Sequence, residues 1–157
     1  MMSENKTIDE YLVQLEHFCA YQERCVHDVK LKMQRLQIEP NFQEQIIERL
    51  IEQEFIDEKR YAISFMRSKV NLKKDGIQKM AYALRNKRIP DDIVTQAIAE
   101  IDREIYLANI SGLIEKKWKT LSPKNEYAVA KRKLIAFLMG KGYRYDEFKG
   151  YLNALKG

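Results

Sequence analysis

Glycine and proline are scarce in this chain, with six Gly and three Pro among 157 residues. A β-rich fold needs many more of them to turn its strands, so an all-β protein is excluded. Cysteine is scarcer still: Cys19 and Cys25 stand alone and cannot make a disulfide framework. No apolar run approaches the roughly 20 residues of a bilayer-spanning helix. The opening MMSENKTIDE lacks the charged-then-apolar pattern of a secretory signal. A cytoplasmic protein without a membrane partner is expected. Catalytic signatures are missing as well. GKG at Gly140–Gly142 lacks the spacing of a phosphate-binding loop, and there is no HExxH, nucleophile elbow or Cys-x-x-Cys. The acids stand at helix starts and on charged faces, where capping accounts for them. The expectation is a protein that is not an enzyme and carries no cofactor.

The symmetric segment HFCAYQERCVH, His17–His27, raises one question of a metal site. On a helix, His17 and Cys19 point about 200° apart and cannot share an ion. The segment reads as packed or half-buried side chains near a helix junction, with no metal.

What the chain does have is a core and a charged surface. Hydrophobic residues make up 45% and charged residues 32%, with a net charge of +5. The basic balance favours a polyanion or an acidic partner. Apolar positions recur at helical spacing almost throughout, without strand alternation. Nine helices are expected, near residues 8–21, 24–36, 42–54, 58–71, 75–87, 91–101, 103–120, 125–139 and 145–155. Asn41 with Glu44, Asp57 with Glu58, and Pro90 with Asp91 and Asp92 read as helix starts. Ser122 with Pro123 reads as an N-cap followed by proline, and Gly140 with Gly142 as a stop.

The chain also repeats itself. Shifted by 51, Val26, Val29, Met33 and Ile38 fall on Ile77, Met80, Leu84 and Ile89. Phe42, Ile47 and Leu50 then fall on Ile93, Ile98 and Ile101. Shifted by a further 54, Met80, Leu84 and Ile89 fall on Leu134, Leu138 and Tyr143, and Val94, Ile98 and Ile101 on Phe148, Leu152 and Leu155. The phase holds through a turn into the next helix. An all-α fold of three tandem three-helix units follows, at 1–56, 57–102 and 103–157. Each unit would bury its own small core and stack on its neighbour, giving an elongated body.

Charge is unevenly divided among these units. Glu39–Arg60 has a net charge of −4, Arg67–Arg88 of +7 and Glu115–Lys133 of +5. In FIDEKRYAISFMRSKVNLKKDG, Phe55–Gly76, the residues Tyr61, Phe65 and Leu72 share one helical face and should be buried. Arg60, Arg67 and, if the helix lasts, Lys74 recur every seven residues on another flank. Guanidinium forks there could pair with phosphates or carboxylates, or the flank could be a solvated face with local ion pairs. In the next helix Lys79, Tyr82 and Asn86 lie opposite the core, so Tyr82 could stack on a base or pack on an adjacent unit. Trp118, within KKWK, reads as core or inter-unit packing. Lys131–Lys133 adds phosphate-binding potential without a sequence-reading signature.

These motifs, in this order, resemble the RecX family of bacterial recombinase regulators over about residues 10–155. The most specific piece is Phe55, Ile56, Asp57, Glu58, Arg60, Tyr61, Ala62 and Phe65. The first unit offers Arg24, Cys25, Asp28, Val29, Lys32 and Met33, with Cys25 and Asp28 in place of the family's Ser and Glu. The second offers Gly76, Met80, Leu84, Lys87 and Ile89, with Arg88 where the family often has Gly. The third offers Lys133, Leu134, Phe137, Leu138, Gly142 and Tyr143. The resemblance implies tandem three-helix repeats lying in the groove of a RecA filament on DNA. It further implies an effect, usually inhibitory, on filament assembly, ATP hydrolysis, strand exchange and repressor cleavage, and hence on recombination, DNA repair and the SOS response. The expected partners are the filament and single- or double-stranded DNA without sequence preference, met by a monomer. The residues expected to meet them are Arg60, Arg67, Lys69, Lys73, Lys74, Lys79, Arg85, Lys87, Arg88, Lys131 and Arg132. The alternatives are a sequence-nonspecific DNA-binding repeat protein with no recombinase partner, and a helical scaffold for another protein.

Overall fold

A computed structural model describes residues 7–156. Residues 1–6, part of the first expected unit, and residue 157 lie outside the described residues. The first repeat holds α1 (Ile8–Tyr21), α2 (Val26–Arg35) and α3 (Pro40–Glu52). The second holds α4 (Glu58–Ser68), α5 (Ile77–Asn86) and α6 (Asp91–Ala99), and the third α7 (Arg103–Leu121), α8 (Tyr127–Gly140) and α9 (Tyr145–Leu152). No strand occurs among the described residues. The accessible surface is 10505 Å², about a quarter more than a compact monomer of this mass would expose. The body is therefore extended.

The internal repeat is physical. Val29, Met33 and Ile38, then Met80, Leu84 and Ile89, then Leu134, Leu138 and Tyr143 are all buried. Each trio ends in the same corner. Gln37, Arg88 and Gly142 adopt positive φ values of 57°, 63° and 99°. The next amide in each case reaches back to the last turn: Ile38 N to the Met33 carbonyl at 3.0 Å, Ile89 N to Leu84 at 3.1 Å and Tyr143 N to Leu138 at 3.1 Å. This left-handed stop satisfies carbonyls that the helix end leaves free and folds an apolar residue back onto the core. Arg88 takes the left-handed conformation where a glycine would be unstrained.

Asp57 caps α4 as expected, accepting from the Arg60 amide at 2.9 Å, and α6 opens directly after Pro90. Two other starts differ. Helix α3 begins at Pro40, so Asn41 lies inside its first turn and does not cap it. Ser122–Lys124 continues α7 as a short 3₁₀ turn, and α8 starts later, after Glu126.

The largest departure is at the end of α4. The α-helix stops at Ser68 and widens into a π-helical turn, Lys69–Lys73, before Lys74 turns left-handed at φ 55°. A π turn holds more residues per revolution, which rotates Leu72 and Lys74 out of the α-helical phase. Leu72 is therefore 78% exposed instead of buried, and Lys74 does not extend the row of Arg60 and Arg67. The buried ridge is Ala62, Met66 and Val70, joined by Tyr61. Phe65 is only half-buried, stacked on Tyr61 at 6.2 Å between ring centres. The third repeat takes up carbonyls at this terminus: Asn109 Nδ2 donates to Val70 at 2.9 Å and the Tyr143 hydroxyl to Lys74 at 2.6 Å. Lys141 Nζ donates to the Lys73 carbonyl.

The two junctions between repeats differ. The first repeat has its own apolar cluster, built on Leu15, Met33, Ile46 and Leu50. One continuous cluster runs from Tyr61 through Leu84, Tyr106 and Leu134 to Leu152, so the second and third repeats share a core where one per unit was expected. Gly76 meets the Gly142 backbone so closely that a side chain at Gly76 would overlap it. Gly76 N donates to Lys141 O at 2.8 Å and Gln78 N to Gly142 O at 3.1 Å, so free amides of the α5 start meet carbonyls of the α8–α9 corner. The first junction is more polar. Lys87 pairs with Asp28 at 2.6 Å and Arg60 with Glu23 at 2.7 Å. Cys25 is the residue of the first repeat that enters the shared core.

Candidate nucleic-acid and protein interface

The eleven bases singled out in the sequence fall into three groups. Arg60, Lys87 and Arg85 are in intramolecular ion pairs. Arg60 bridges Glu23 and donates to the Glu54 carbonyl at 2.9 Å. Lys87 bonds Asp28 across the repeats, and Arg85 bonds Asp91 at 3.0 Å at the α5–α6 corner. A second group rests on its neighbours. The Lys69 ammonium lies 5.5 Å from the Phe65 ring centre and that of Lys131 5.8 Å from Tyr127. Lys79 lies 3.7 Å from the Asp75 carboxylate. In the third group, Arg67, Lys73, Lys74, Arg88 and Arg132 are exposed, with no side-chain partner among the described residues.

All five of these cations belong to the two joined repeats, four of them to the second. Lys73 and Lys74 emerge beside the Gly76–Gly142 contact. There Asp75, which is buried, holds Lys79 on one side and Lys141 on the other at 3.6 Å. One carboxylate against two ammonium groups leaves the seam net positive. Tyr82 is 66% exposed, so it does not pack on an adjacent repeat and its ring is free for a partner. Trp118 packs inside the third repeat, edge-on to Tyr127 at 5.8 Å, with its indole N–H donating to Lys156 O at 3.2 Å.

The acids show where charge is strained. Burial works to raise the Asp28 carboxyl, yet the bonded Lys87 ammonium, together with hydrogen bonds from Cys25, outweighs it and holds Asp28 below its ordinary range. Burial pushes Glu58 up, against the lowering pull of the Val26 backbone amide and the Lys30 charge, and one of its oxygens has no hydrogen-bond partner. Burial likewise pushes the Cys19 and Cys25 thiols up to about 11, which leaves them protonated and poor nucleophiles. No group of three metal-ligating side chains occurs among the described residues, His17 and Cys19 included. No helix among them is long and apolar enough to cross a membrane.

Sequence reading missed a groove beside Arg67. Its walls come from α4, α6 and the start of α7, which no local pattern links. Its one legible trace is Ile105, an isoleucine left 41% exposed on α7.

A chain of stacked three-helix repeats is a helical-repeat protein. Comparison with known families makes this specific. The second three-helix domain of RecX matches residues 57–98 and the third matches residues 104–152. These spans cover more than half of the chain, and it belongs to the RecX family. The regulatory protein RecX of Bacillus mycoides (strain KBAB4) is 27% identical over 152 residues, 97% of this chain. That of Bacillus cereus (strain B4264) is 26% identical over the same length. The chain spans only 56% of the length of these relatives. The crystal structure of RecX from Lactobacillus salivarius superposes with a TM-score of 0.84 at 25% identity, covering 94% of this chain and 97% of that one. The relatives are named as regulatory proteins, which agrees with a regulatory role.

Proposed function

We propose that this protein is a non-enzymatic regulator that lies along a RecA filament on DNA and inhibits its ATPase, assembly, strand exchange and coprotease activities. The observation that carries this reading is the set of free cations, Arg67, Lys73, Lys74, Arg88 and Arg132, on the two repeats matched by the RecX family models. A filament groove offers repeated protein surface around a phosphate backbone. An extended ligand touches several subunits at once, and linked weak contacts raise its effective concentration. The cations add attraction that salt screens.

The test is ATP hydrolysis by the cognate recombinase on single-stranded DNA, with and without this protein. Inhibition below one molecule per recombinase subunit, stronger at low salt, is expected, with no hydrolysis by this protein alone. Steeply salt-dependent binding to bare DNA with no effect of recombinase would instead support a plain DNA-binding repeat protein.

A further inference from the structure

The groove beside Arg67 differs in kind from the lysine-rich seam. Its inner part, about 310 Å³, has an apolar floor of Met66, Val70, Ala97 and Ile101 between α4, α6 and α7. Ile105 stands at its rim, 41% exposed. A second depression, about 370 Å³, continues along α4 past Lys59 and shares Ile63 and Arg67 with the first. Charge changes sign along the path. At the α4 end lie Lys59, the unpaired Arg67 and the Glu23-paired Arg60, with Asp57 engaged as the cap of α4, while the exposed Glu100 and Asp102 lie at the α6–α7 end. Asp102 is partly engaged as the cap of α7, accepting from Glu104 N at 3.1 Å, whereas Glu100 has no side-chain partner among the described residues.

Such a surface is unsuited to a phosphate backbone. A strand laid on it would carry phosphates to Glu100 and Asp102 and set charged sugar-phosphate on apolar side chains, losing solvation without return. An apolar centre with a rim of both charge signs is instead how protein interfaces are built, and the paired signs would orient the bound segment.

We propose that this groove is the protein-docking face of the molecule, and that the phosphate-facing side is the Lys73–Lys74–Lys79 seam. The occupant is a segment of a recombinase subunit that seats one aliphatic side chain between Ile63 and Ile105. That segment has an acidic neighbour toward Arg67 and a basic neighbour toward Glu100. The partner's identity rests on the functional reading above; the division of faces rests on the groove's chemistry.

Ile105→Asp and Glu100→Lys separate the two faces. Both positions are exposed, and an acid in the first turn of α7 favours the helix dipole, so both variants should melt like the parent. Binding is measured to the assembled recombinase filament and, separately, to a bare single-stranded oligonucleotide. Each substitution should weaken filament binding by about tenfold or more. Ile105→Asp should change bare-DNA binding by less than about threefold, and Glu100→Lys should leave it unchanged or tighten it through its added positive charge. That opposition of sign is the decisive readout. If Glu100→Lys tightens both ligands, the groove faces DNA and the assignment is wrong. If both variants hold the filament as the parent does, the groove is not the docking face, although the recombinase reading survives. If the parent itself does not bind the filament, the functional reading falls and the partner assignment with it.

Discussion

Gly76 and Gly142 lie backbone to backbone across the seam between the second and third repeats, with no space for a side chain at either. Gly142 also has φ 99°, a conformation that L side chains rarely adopt. The contact lets the amides of α5 reach the carbonyls of the α8–α9 corner. It also lets Lys141 and Tyr143 take the carbonyls released at Lys73 and Lys74.

Gly76→Ala should therefore force the repeats apart and loosen several of these hydrogen bonds together. A loss of about 2–4 kcal/mol is expected, from overpacking plus buried polar groups left without partners. Chemical denaturation measures it. A variant as stable as the parent would mean that the seam is easily deformed.

Met66→Ala should cost about 2–5 kcal/mol, because Met66 is 1% exposed within the shared core. Phe65→Ala should cost less, since its ring is half-buried. Parallel melts test this order. The reverse order would show that Phe65, not the Ala62–Met66–Val70 ridge, anchors α4.

Glu58→Gln should stabilise the protein at neutral pH. Burial raises the Glu58 carboxyl above its ordinary 4.5, so the folded state binds its proton more tightly than the unfolded chain does. Its contribution is present below the unfolded value and is lost as pH rises through the folded one. Asp28 has the opposite sign: its lowered carboxyl stabilises the fold above its ordinary 3.8, and that contribution is lost as pH falls through the lower folded value. Glutamine keeps the shape and a polar oxygen toward the Val26 amide without carrying a charge. A gain of about 1 kcal/mol or less is expected at pH 7, given partial solvation, shrinking toward pH 4. An equal gain at both pH values would assign it to packing.

The combined Arg67→Ala, Lys73→Ala, Lys74→Ala and Lys79→Ala variant should keep its melting temperature nearly unchanged, since all four side chains are exposed and only Lys79 has an ionic partner. Inhibition of the recombinase ATPase should fall and lose part of its salt dependence. Full inhibition at every salt concentration would make this basic band a solvated face.

Residues 1–56 alone, without either basic repeat, should fail to inhibit. Residues 57–157, which hold the shared core, should fold by themselves. Circular dichroism and the ATPase assay examine both fragments. Inhibition by residues 1–56 would relocate the contact to the acidic stretch Glu39–Glu54.

The helices and the repeat could be read from the sequence because their causes are local, and Gly140 with Gly142 marked the last of the three left-handed corners. Met33, Leu84 and Leu138 recur in phase, and each corner closes with a bond spanning five residues. The Asp57 cap acts within one turn of its helix. The π turn after Ser68 could not be read this way, because side chains of the third repeat, Asn109 and Tyr143 among them, take up its carbonyls. Periodicity therefore placed Leu72 in the core, whereas it faces solvent. The same limit governs the site. Sequence alone established that the second and third repeats are basic. Only the tertiary structure decided that Arg60 is held by Glu23, 37 positions away, and Lys87 by Asp28, 59 positions away, leaving Arg67, Lys73, Lys74, Arg88 and Arg132 free. Helix propensity and capping act over a few residues, whereas an ion pair depends on where packing of the whole chain carries its two ends.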